Sequence, residues 1–216
     1  MLTINLSEQN SLLHSFMSEL RDVNIQKDSL RFRRNIERIG EITAYEISKT
    51  FAYEAREVET PLATAEVSLP TDKVVLATIL RAGLPFHQGF LNYLDHAENA
   101  FVSAYREYTS ETEFYIHTEY IASPSLDGKT LIICDPMLAT GSSMEVAYKA
   151  LLQKGTPKKV YLASVLATPQ AIEYLQNLMP EDITLYTAAI DPVLNPHKYI
   201  VPGLGDAGDL AFGEKI

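Results

Sequence analysis

Asp135 and the short run behind it are the residues whose types and spacing most suggest chemistry. The segment IICDPMLATGSSM, residues 132–144, ends an apolar run with a carboxylate and continues through a proline to Thr-Gly-Ser-Ser. A carboxylate can accept hydrogen bonds from both hydroxyl groups of a vicinal diol. Backbone N–H groups at a helix N-terminus bind an anion. The segment therefore suits a ribose that carries a 5-phosphate.

The residue types at the second end of this segment suit the phosphate in particular. Gly141 can adopt positive φ and allows the backbone to approach an anion closely. Thr140, Ser142 and Ser143 supply hydroxyl donors with little bulk. Taken one at a time, these residues are explained better by a turn at Asp135 and a helix N-cap at Ser142. Their combination favours a binding loop.

Two arginines extend the same hypothesis. Arg81 ends an apolar run in ILRAGLPF, and Arg106 ends another in NAFVSAYRE. The usual role of a single arginine is a surface ion pair. Two arginines at the carboxyl ends of neighbouring strands suit a second anion, such as pyrophosphate, because the guanidinium fork matches phosphate oxygens.

Elements that could position these residues recur along the chain from Lys73 onward. Continuous apolar runs predict buried strands at 73–80, 130–134, 159–167 and 183–190. Helical segments between them are predicted at 84–94, 142–154 and 169–178. This alternation predicts an α/β fold with a central, mostly parallel sheet flanked by helices. Ligands in such sheets bind beyond the carboxyl ends of the strands.

The remaining segments are predicted to lie around this sheet in a single domain, 1–216. Apolar spacing predicts N-terminal helices from Ser7 to about Asp22 and from Ser29 to about Phe51. FYIHTEYIAS, within an arm region at about 107–128, predicts either a protruding β arm or an ordinary edge hairpin. The C-terminal segment at about 191–216 is rich in glycine and has no clear period.

Composition excludes several classes of protein. The chain has 216 residues, of which 46% are hydrophobic, with 18 basic and 28 acidic residues and a net charge of -10. The acidic balance argues against a nucleic-acid partner, which requires a basic surface. A single cysteine excludes an internal disulfide, and we find neither a signal peptide nor an apolar stretch that could span a bilayer. We predict a cytoplasmic protein without a membrane partner.

Other motifs give weaker signals. GLGDAG at 203–208 matches the dinucleotide fingerprint G-x-G-x-x-G, but too few residues follow it to complete a β-α-β unit. The histidines are scattered singly, which argues against a zinc site. The sequence does not exclude a hydrolase with a Ser-His-Asp triad, although it contains no G-x-S-x-G nucleophile elbow to support one. Cys134 lies in an apolar run and is predicted to be an inert core residue.

Four segments resemble one known family. DPMLATGSS resembles the 5-phosphoribosyl 1-pyrophosphate (PRPP) signature of the type I phosphoribosyltransferases, and the single Asp135 is similar to the uracil phosphoribosyltransferase family in particular. ILRAGLPFHQG, SAYRE and YIVPGLGDAGDLAFG are similar to that family's pyrophosphate loop, Tyr-Arg segment and uracil-binding segment. The resemblance extends from about Ile25 to the C-terminus.

The resemblance implies a fold with N-terminal helices, a β arm and a C-terminal hood that binds the base. It also implies site roles. Asp135 would hold the ribose hydroxyls, Arg81 and Arg106 the pyrophosphate, and Asp206 would lie near the pyrophosphate. Mg²⁺ would be carried by PRPP, with no direct metal ligand in the chain. A non-trans peptide bond is implied in the Arg81-Ala82 region.

Two further sets of residues follow from the resemblance. The loop around the 5-phosphate would comprise Pro136, Met137, Leu138, Ala139, Thr140, Gly141, Ser142 and Ser143. The groups facing uracil would come from Ile200, Gly205, Asp206 and Ala207.

The implied reaction is uracil plus PRPP giving UMP and diphosphate, in a homodimer or higher homo-oligomer, with regulation by GTP left open. Three alternatives remain at this point. They are a phosphoribosyltransferase for another base, a non-catalytic nucleotide-sensing or RNA-binding regulator, and a structural α/β protein without a ligand. The four separate motifs argue against the last of these.

Overall fold

A computed structural model describes residues 1–108 and 114–215, and describes side chains outside 104–119. The helices are α1 (Leu13–Arg21), α2 (Ser29–Ser48), α3 (Gly83–Leu91), α4 (Ser142–Leu151), α5 (Pro169–Leu178) and α6 (Ala207–Phe212). The strands are β1 (Leu2–Asn5), β2 (Tyr53–Glu59), β3 (Thr64–Pro70), β4 (Val74–Leu80), β5 (Glu98–Tyr108), β6 (Phe114–Ala122), β7 (Thr130–Cys134), β8 (Met137–Leu138), β9 (Lys159–Ala167), β10 (Thr184–Ile190), β11 (Val193–Leu194) and β12 (Ile200–Val201).

The central sheet has the strand order β1-β10-β9-β7-β4-β5-β6, with the short β8 also paired to β9. Its pairs are parallel except for β5 with β6. Successive residues of a strand point to opposite faces of the sheet and pack into two separate hydrophobic cores. Leu76 packs in the same core as Phe86 on one face, and Val75 packs in the same core as Met144 on the other. The predicted mostly parallel sheet flanked by helices is therefore confirmed.

The predicted helices are present with different ends. The first begins at Leu13 rather than Ser7, because Leu6–Glu8 forms a short 3-10 turn, and Leu12 is exposed. The second ends at Ser48, short of the predicted Phe51. Among the described residues, no helix combines the length and apolar character needed to cross a membrane.

The described residues of the predicted arm region form an edge hairpin, and a second hairpin that the sequence did not predict lies earlier in the chain. Strand β6 pairs antiparallel with β5 and forms an edge of the central sheet, as the edge-hairpin alternative requires. Residues 109–113 of the predicted arm region lie outside the described residues. Strands β2 and β3 instead form a separate two-stranded sheet. Because its side chains are almost all exposed, this hairpin carries no apolar pattern that sequence analysis could detect.

Acidification is expected to weaken the contact between α1 and α2. Glu19 accepts hydrogen bonds of 2.7 Å from Arg31 Nε and from Asn35 Nδ2. These bonds, led by the one from Arg31, lower the pKa of Glu19 from 4.5 to about 2. A carboxylate with a lowered folded pKa stabilises the fold above its unfolded pKa, and this contribution is lost as pH falls through the folded pKa.

The free energy of unfolding should therefore decline between pH 4.5 and about 2. Denaturant unfolding at a series of pH values should show a shallower decline for Glu19→Gln than for the unsubstituted chain. Glu8→Gln, in the Leu6–Glu8 turn, is the matched control because it makes the same chemical change away from the contact between α1 and α2. An unchanged slope in Glu19→Gln would contradict the assignment.

Candidate active site

The candidate site begins at Asp135, which directly follows β7 at the carboxyl edge of the sheet. Its backbone N–H donates to Ala163 O at 3.0 Å, which extends the pairing of β7 with β9 by one residue. Its Oδ1 accepts a 3.2 Å hydrogen bond from Met137 N. The sheet and this turn therefore fix the carboxylate where a ligand beyond the strand ends would meet it.

The base of the loop after Asp135 is held by β9 and the residue that follows it. Pro136 is buried, and its carbonyl accepts from Val165 N at 3.1 Å and Leu166 N at 2.9 Å. Strand β8 continues this pairing in parallel with the end of β9. Thr168 Oγ1 donates to Ala139 O at 2.8 Å. The loop is thus anchored by its backbone before it turns into α4.

The turn into α4 is built around Gly141. Gly141 is the N-cap residue of α4 and has φ +84°, a conformation that the absence of a side chain permits. A Cβ atom at this position would lie 3.0 Å from Tyr174 Cδ1 and 3.3 Å from Ala171 O. Thr140 Oγ1 lies 3.0 Å from Ser142 Oγ. The turn borders a small concavity lined by Asp135, Met137, Leu138, Ala139, Thr140, Gly141, Ser143 and Met144.

Arg81 lies on the neighbouring strand and bridges the sheet to the C-terminal segment. It directly follows β4, which pairs with β7. Its Nη2 donates to Asp209 Oδ1 at 2.9 Å, and its Nη1 donates to Gly213 O at 3.3 Å. The Leu80-Arg81 peptide bond is cis, one bond before the Arg81-Ala82 region indicated by the resemblance.

The C-terminal segment folds back over these strand ends. Strands β11 and β12 pair antiparallel, and the chain then turns through Gly203 at φ +60° and Gly205 at φ +94°. Asp206 caps α6 by accepting from Asp209 N at 3.0 Å. A Cβ atom on Gly208 would lie 3.2 Å from Asp206 Oδ1 and 3.5 Å from Arg81 Nη2. The segment therefore packs directly against Arg81.

A cleft of about 760 Å³ lies between the strand ends and the C-terminal segment. The predicted site residues that line it are Arg81, Asp135, Met137, Ala139, Ser143, Ile200, Gly205, Asp206 and Ala207. Leu138, Thr140 and Gly141 border the adjoining small concavity.

Two of the remaining predicted site residues, Pro136 and Ser142, line neither concavity, and the third, Arg106, is described only in its backbone. Pro136 is buried beneath the loop, and Ser142 hydrogen-bonds Thr140 without lining either concavity. The backbone of Arg106 lies in β5, beyond Ser103, the last β5 residue paired with β4. The side chain of Arg106 lies outside the described residues.

Several residues that line the cleft were not predicted as site residues from the sequence. Lys198, Tyr199, Asp209 and Lys215 all line it, and Lys198 has φ +63°, which is uncommon for a residue with a side chain. Asp209 is the second aspartate of the GDAGD sequence, and this repeated acid is the feature from which it could have been predicted as a site residue. The cationic groups here matter because a chain with a net charge of -10 can hold an anion only through local groups.

Cys134 does not belong to the cleft. It is fully buried in the core beside β4 and β9. Burial raises the pKa of its thiol well above the usual value, and the charge of Asp135 raises it further. The predicted core position is confirmed, and a raised pKa disfavours the thiolate that nucleophilic attack requires.

Comparison with known proteins gives consistent matches along the chain. The family model described as uracil phosphoribosyltransferase matches residues 7–214. A protein of that name from Porphyromonas gingivalis is 63% identical over 216 residues, which is 100% of each chain. Another from Pyrococcus furiosus is 39% identical over 212 residues, or 97% of this chain and 89% of the relative.

Solved structures show the same fold. The structure of a protein from Aquifex aeolicus has a TM-score of 0.87 at 29% identity and covers 98% of each chain. A hypoxanthine phosphoribosyltransferase from Staphylococcus aureus has a TM-score of 0.53 at 16% identity, over 86% of this chain and 84% of the other. This second similarity is one of fold.

Proposed function

Because the chain belongs to the uracil phosphoribosyltransferase family, we propose that the cleft beyond β4 and β7 is its active site. The enzyme transfers the phosphoribosyl group of PRPP to uracil, giving UMP and diphosphate. One observation carries the assignment of the site. Asp135, Arg81 and the C-terminal segment, which are far apart in sequence, meet around one cleft of about 760 Å³.

PRPP is proposed to bind along the strand ends. The 5-phosphate occupies the concavity bordered by Thr140, Gly141 and Ser143, where the N-terminus of α4 and two hydroxyl groups favour an anion. The ribose hydroxyls hydrogen-bond the Asp135 carboxylate. The diphosphate lies toward Arg81, and Arg106 is proposed as its second cation. This order follows the positions of the groups from β7 across to β4.

Uracil is proposed to bind against the backbone of the C-terminal segment. Uracil presents alternating carbonyl and N–H groups, which the backbone groups of Ile200, Gly205 and Ala207 can complement. Asp206 stands between them, where its side chain caps α6. Cytosine would place donors against donors, and each buried group left unpaired costs about 1–3 kcal/mol. The segment therefore supports selectivity for uracil.

The transfer is proposed to proceed by displacement at the anomeric carbon through an oxocarbenium-like state. Negative charge develops on the departing diphosphate, and Arg81 and Arg106 stabilise it. The backbone contacts orient the uracil ring nitrogen in line with the bond that breaks. The uracil N–H is acidic enough to be lost late, so the mechanism requires no strong general base. The C-terminal segment excludes water, which would otherwise hydrolyse PRPP.

The residues around the cleft fit a Mg²⁺ ion carried by PRPP. Asp135, Asp206 and Asp209 place carboxylates around the cleft, but the described residues contain no group of three or more His, Cys, Asp or Glu placed to hold a metal ion. Mg²⁺ is commonly bound through one or two carboxylates together with substrate phosphates. When bound, the ion supplies neutralising charge to the diphosphate oxygens. We place it near Asp206.

Gly141→Ala is expected to weaken PRPP binding. A side chain at φ +84° is strained and would crowd Tyr174 and Ala171. Relaxation of this strain would move the phosphate loop, and a cost of roughly 1–2 kcal/mol for left-handed backbone corresponds to about a tenfold rise in the KM for PRPP. Steady-state kinetics measure this change.

Gly128→Ala is the matched control for that substitution. Gly128 also has positive φ, at +67°, but a Cβ atom there would meet nothing within 4 Å. It should lower stability and leave the KM for PRPP unchanged. Equal KM values for the two variants would contradict the proposed role of the loop.

The exposed β2–β3 hairpin supports a homodimer. A two-stranded hairpin is only marginally stable by itself. This hairpin exposes apolar side chains at Val58, Leu62, Val67 and Leu69. A second copy of the chain would cover them. Val67→Glu with Leu69→Glu is therefore expected to reduce the mass measured by light scattering to that of one chain, 24.1 kDa. An unchanged mass would show that the hairpin does not hold the assembly together.

The lone cysteine supports a reducing compartment for the enzyme. Cys134 is buried, and the chain has no second cysteine with which it could form a disulfide. Proteins without disulfides are typical of reducing compartments. We therefore propose that the enzyme acts in the cytoplasm.

The proposed selectivity is tested by supplying PRPP and Mg²⁺ with radiolabelled uracil, cytosine, hypoxanthine or orotate. UMP from uracil alone is expected. Product from another base at a similar rate would contradict the backbone readout of uracil. The same reaction without Mg²⁺, and with added GTP, tests the proposed metal and effector.

A further inference from the structure

Asp191 and Arg21 together hold Gly203 in the turn of the C-terminal segment. It follows β10, and its backbone N–H donates to Ala167 O at 2.9 Å. Its Oδ2 accepts from Gly203 N at 2.8 Å, and the same oxygen accepts from Arg21 Nη1 at 2.7 Å. Arg21 Nη1 also donates to Gly203 O at 3.0 Å. The N–H and the C=O of Gly203 are thus both engaged by one ion pair.

The ion pair itself is two-pronged and largely buried. Arg21 Nη2 donates to Asp191 Oδ1 at 2.8 Å, which completes the fork. The Asp191 side chain is 6% exposed and that of Arg21 is 27% exposed. Burial opposes ionisation of Asp191, but the hydrogen bonds from Arg21 and Gly203 outweigh it, so the pKa of Asp191 lies below its usual value. The Asp191 carboxylate therefore remains charged at neutral pH.

A second contact from the same region holds the next residue of the turn. Gln26 Nε2 donates to Leu204 O at 3.1 Å and to Leu20 O at 2.7 Å. The carbonyl groups of Gly203 and Leu204 are therefore both fixed from α1 and the turn after it. A Cβ atom on Gly203 would lie 2.0 Å from Ile200 O, so the turn leaves no space for a side chain at this position.

We propose that Arg21, Asp191 and Gln26 are positioning residues that set the affinity and base selectivity for uracil by fixing the backbone of residues 200–205. This inference rests on the proposed uracil site. The groups proposed to face uracil lie on either side of Gly203 and Leu204, with Ile200 three residues before Gly203 and Gly205 directly after Leu204. A site that reads a base with backbone groups cannot adjust a side chain to restore a lost hydrogen bond. Its selectivity depends on how rigidly the backbone is held.

The test compares Arg21→Gln with a matched control, Arg31→Gln, by steady-state kinetics with uracil and PRPP varied separately. Arg31 also forms a two-pronged ion pair, with Glu19 of α1 at 2.7 Å, but it does not contact the C-terminal segment. Arg21→Gln should raise the KM for uracil by about tenfold, change the KM for PRPP little, and narrow the preference for uracil over cytosine. Arg31→Gln should leave both KM values unchanged.

Two further variants keep the test decisive if Arg21→Gln fails to fold. Gln26→Met removes the bonds to Leu204 and Leu20 and leaves both partners of the ion pair in place, and Arg21→Lys keeps the charge but loses the fork. Both should raise the KM for uracil selectively, by less than Arg21→Gln. Thermal unfolding of each variant separates loss of stability from loss of uracil binding. Lower stability with unchanged KM values, or an equal rise in both KM values, would overturn the inference.

Gly205→Ala separates failure of this inference from failure of the proposed site. Gly205 has φ +94°, so a side chain there distorts the proposed uracil contact directly. If Gly205→Ala raises the KM for uracil and the Arg21 and Gln26 variants do not, the positioning role of Arg21, Asp191 and Gln26 is overturned. The proposed uracil site is then retained. If none of these variants changes the KM for uracil, uracil does not bind at this segment. The positioning role and the proposed uracil site are then both overturned.

Discussion

Asp135→Asn is expected to lower kcat/KM for PRPP by about 100- to 1,000-fold, the range observed when one preorganised electrostatic group is removed from a site. The carboxylate is proposed to accept hydrogen bonds from the ribose hydroxyls and to oppose the positive charge that develops on the ribose. Asparagine keeps an oxygen that can accept from Met137 N, as Oδ1 does now. The loop should therefore keep its conformation, and the loss should come from the missing charge.

The measurement is steady-state kinetics with PRPP varied at saturating uracil, together with thermal unfolding. Asp182→Asn is the control, because Asp182 is exposed just before β10 and does not line the cleft. It should retain full activity. An Asp135→Asn variant with unchanged kcat/KM would remove Asp135 from the site, whereas a variant that unfolds early would show that the residue is required for the fold.

Arg81→Ala is expected to cost about 2–4 kcal/mol of transition-state stabilisation, the scale for one lost charge-stabilising donor. The effect should fall mainly on kcat, because the negative charge on the diphosphate is greatest as the bond breaks. Arg106→Ala is expected to lose a similar amount. Arg81→Lys should recover part of the loss, since a lysine supplies the charge but not the fork.

Arg81 also contacts the C-terminal segment, so its role in catalysis must be separated from its role in packing. Asp209→Asn weakens the 2.9 Å contact with Arg81 and leaves the guanidinium in place. If Arg81 acts on the diphosphate, Asp209→Asn should reduce kcat far less than Arg81→Ala does. Equal losses in the two variants would show that the ion pair, rather than the cation, is what the reaction needs.

The predictable parts of the fold are the buried strands, because burial on both faces requires a continuous run of apolar residues. Strands β4, β7 and β9 are covered on both faces, and their continuous apolar runs predicted them to within a residue. Asp135 and Arg81 were identifiable because each ends such a run. The positive φ of Gly141 was predictable from the residue type.

The parts that were missed depend on exposed elements or on distant pairs. The β2–β3 hairpin buries almost nothing, and β1 has only four residues. Arg21 and Asp191 are 170 residues apart, and no local pattern joins an arginine at the end of α1 to an acid after β10. The role of Asp209 likewise depends on a contact with Arg81 that only the folded chain reveals.

A crystal structure of the enzyme with UMP would test the proposed site most directly. We expect the phosphate at the turn from Thr140 to Ser143, the ribose hydroxyls on Asp135, and the base against the backbone of residues 200–207. UMP bound with its base or its phosphate elsewhere in the molecule would contradict the assignment of this cleft as the active site.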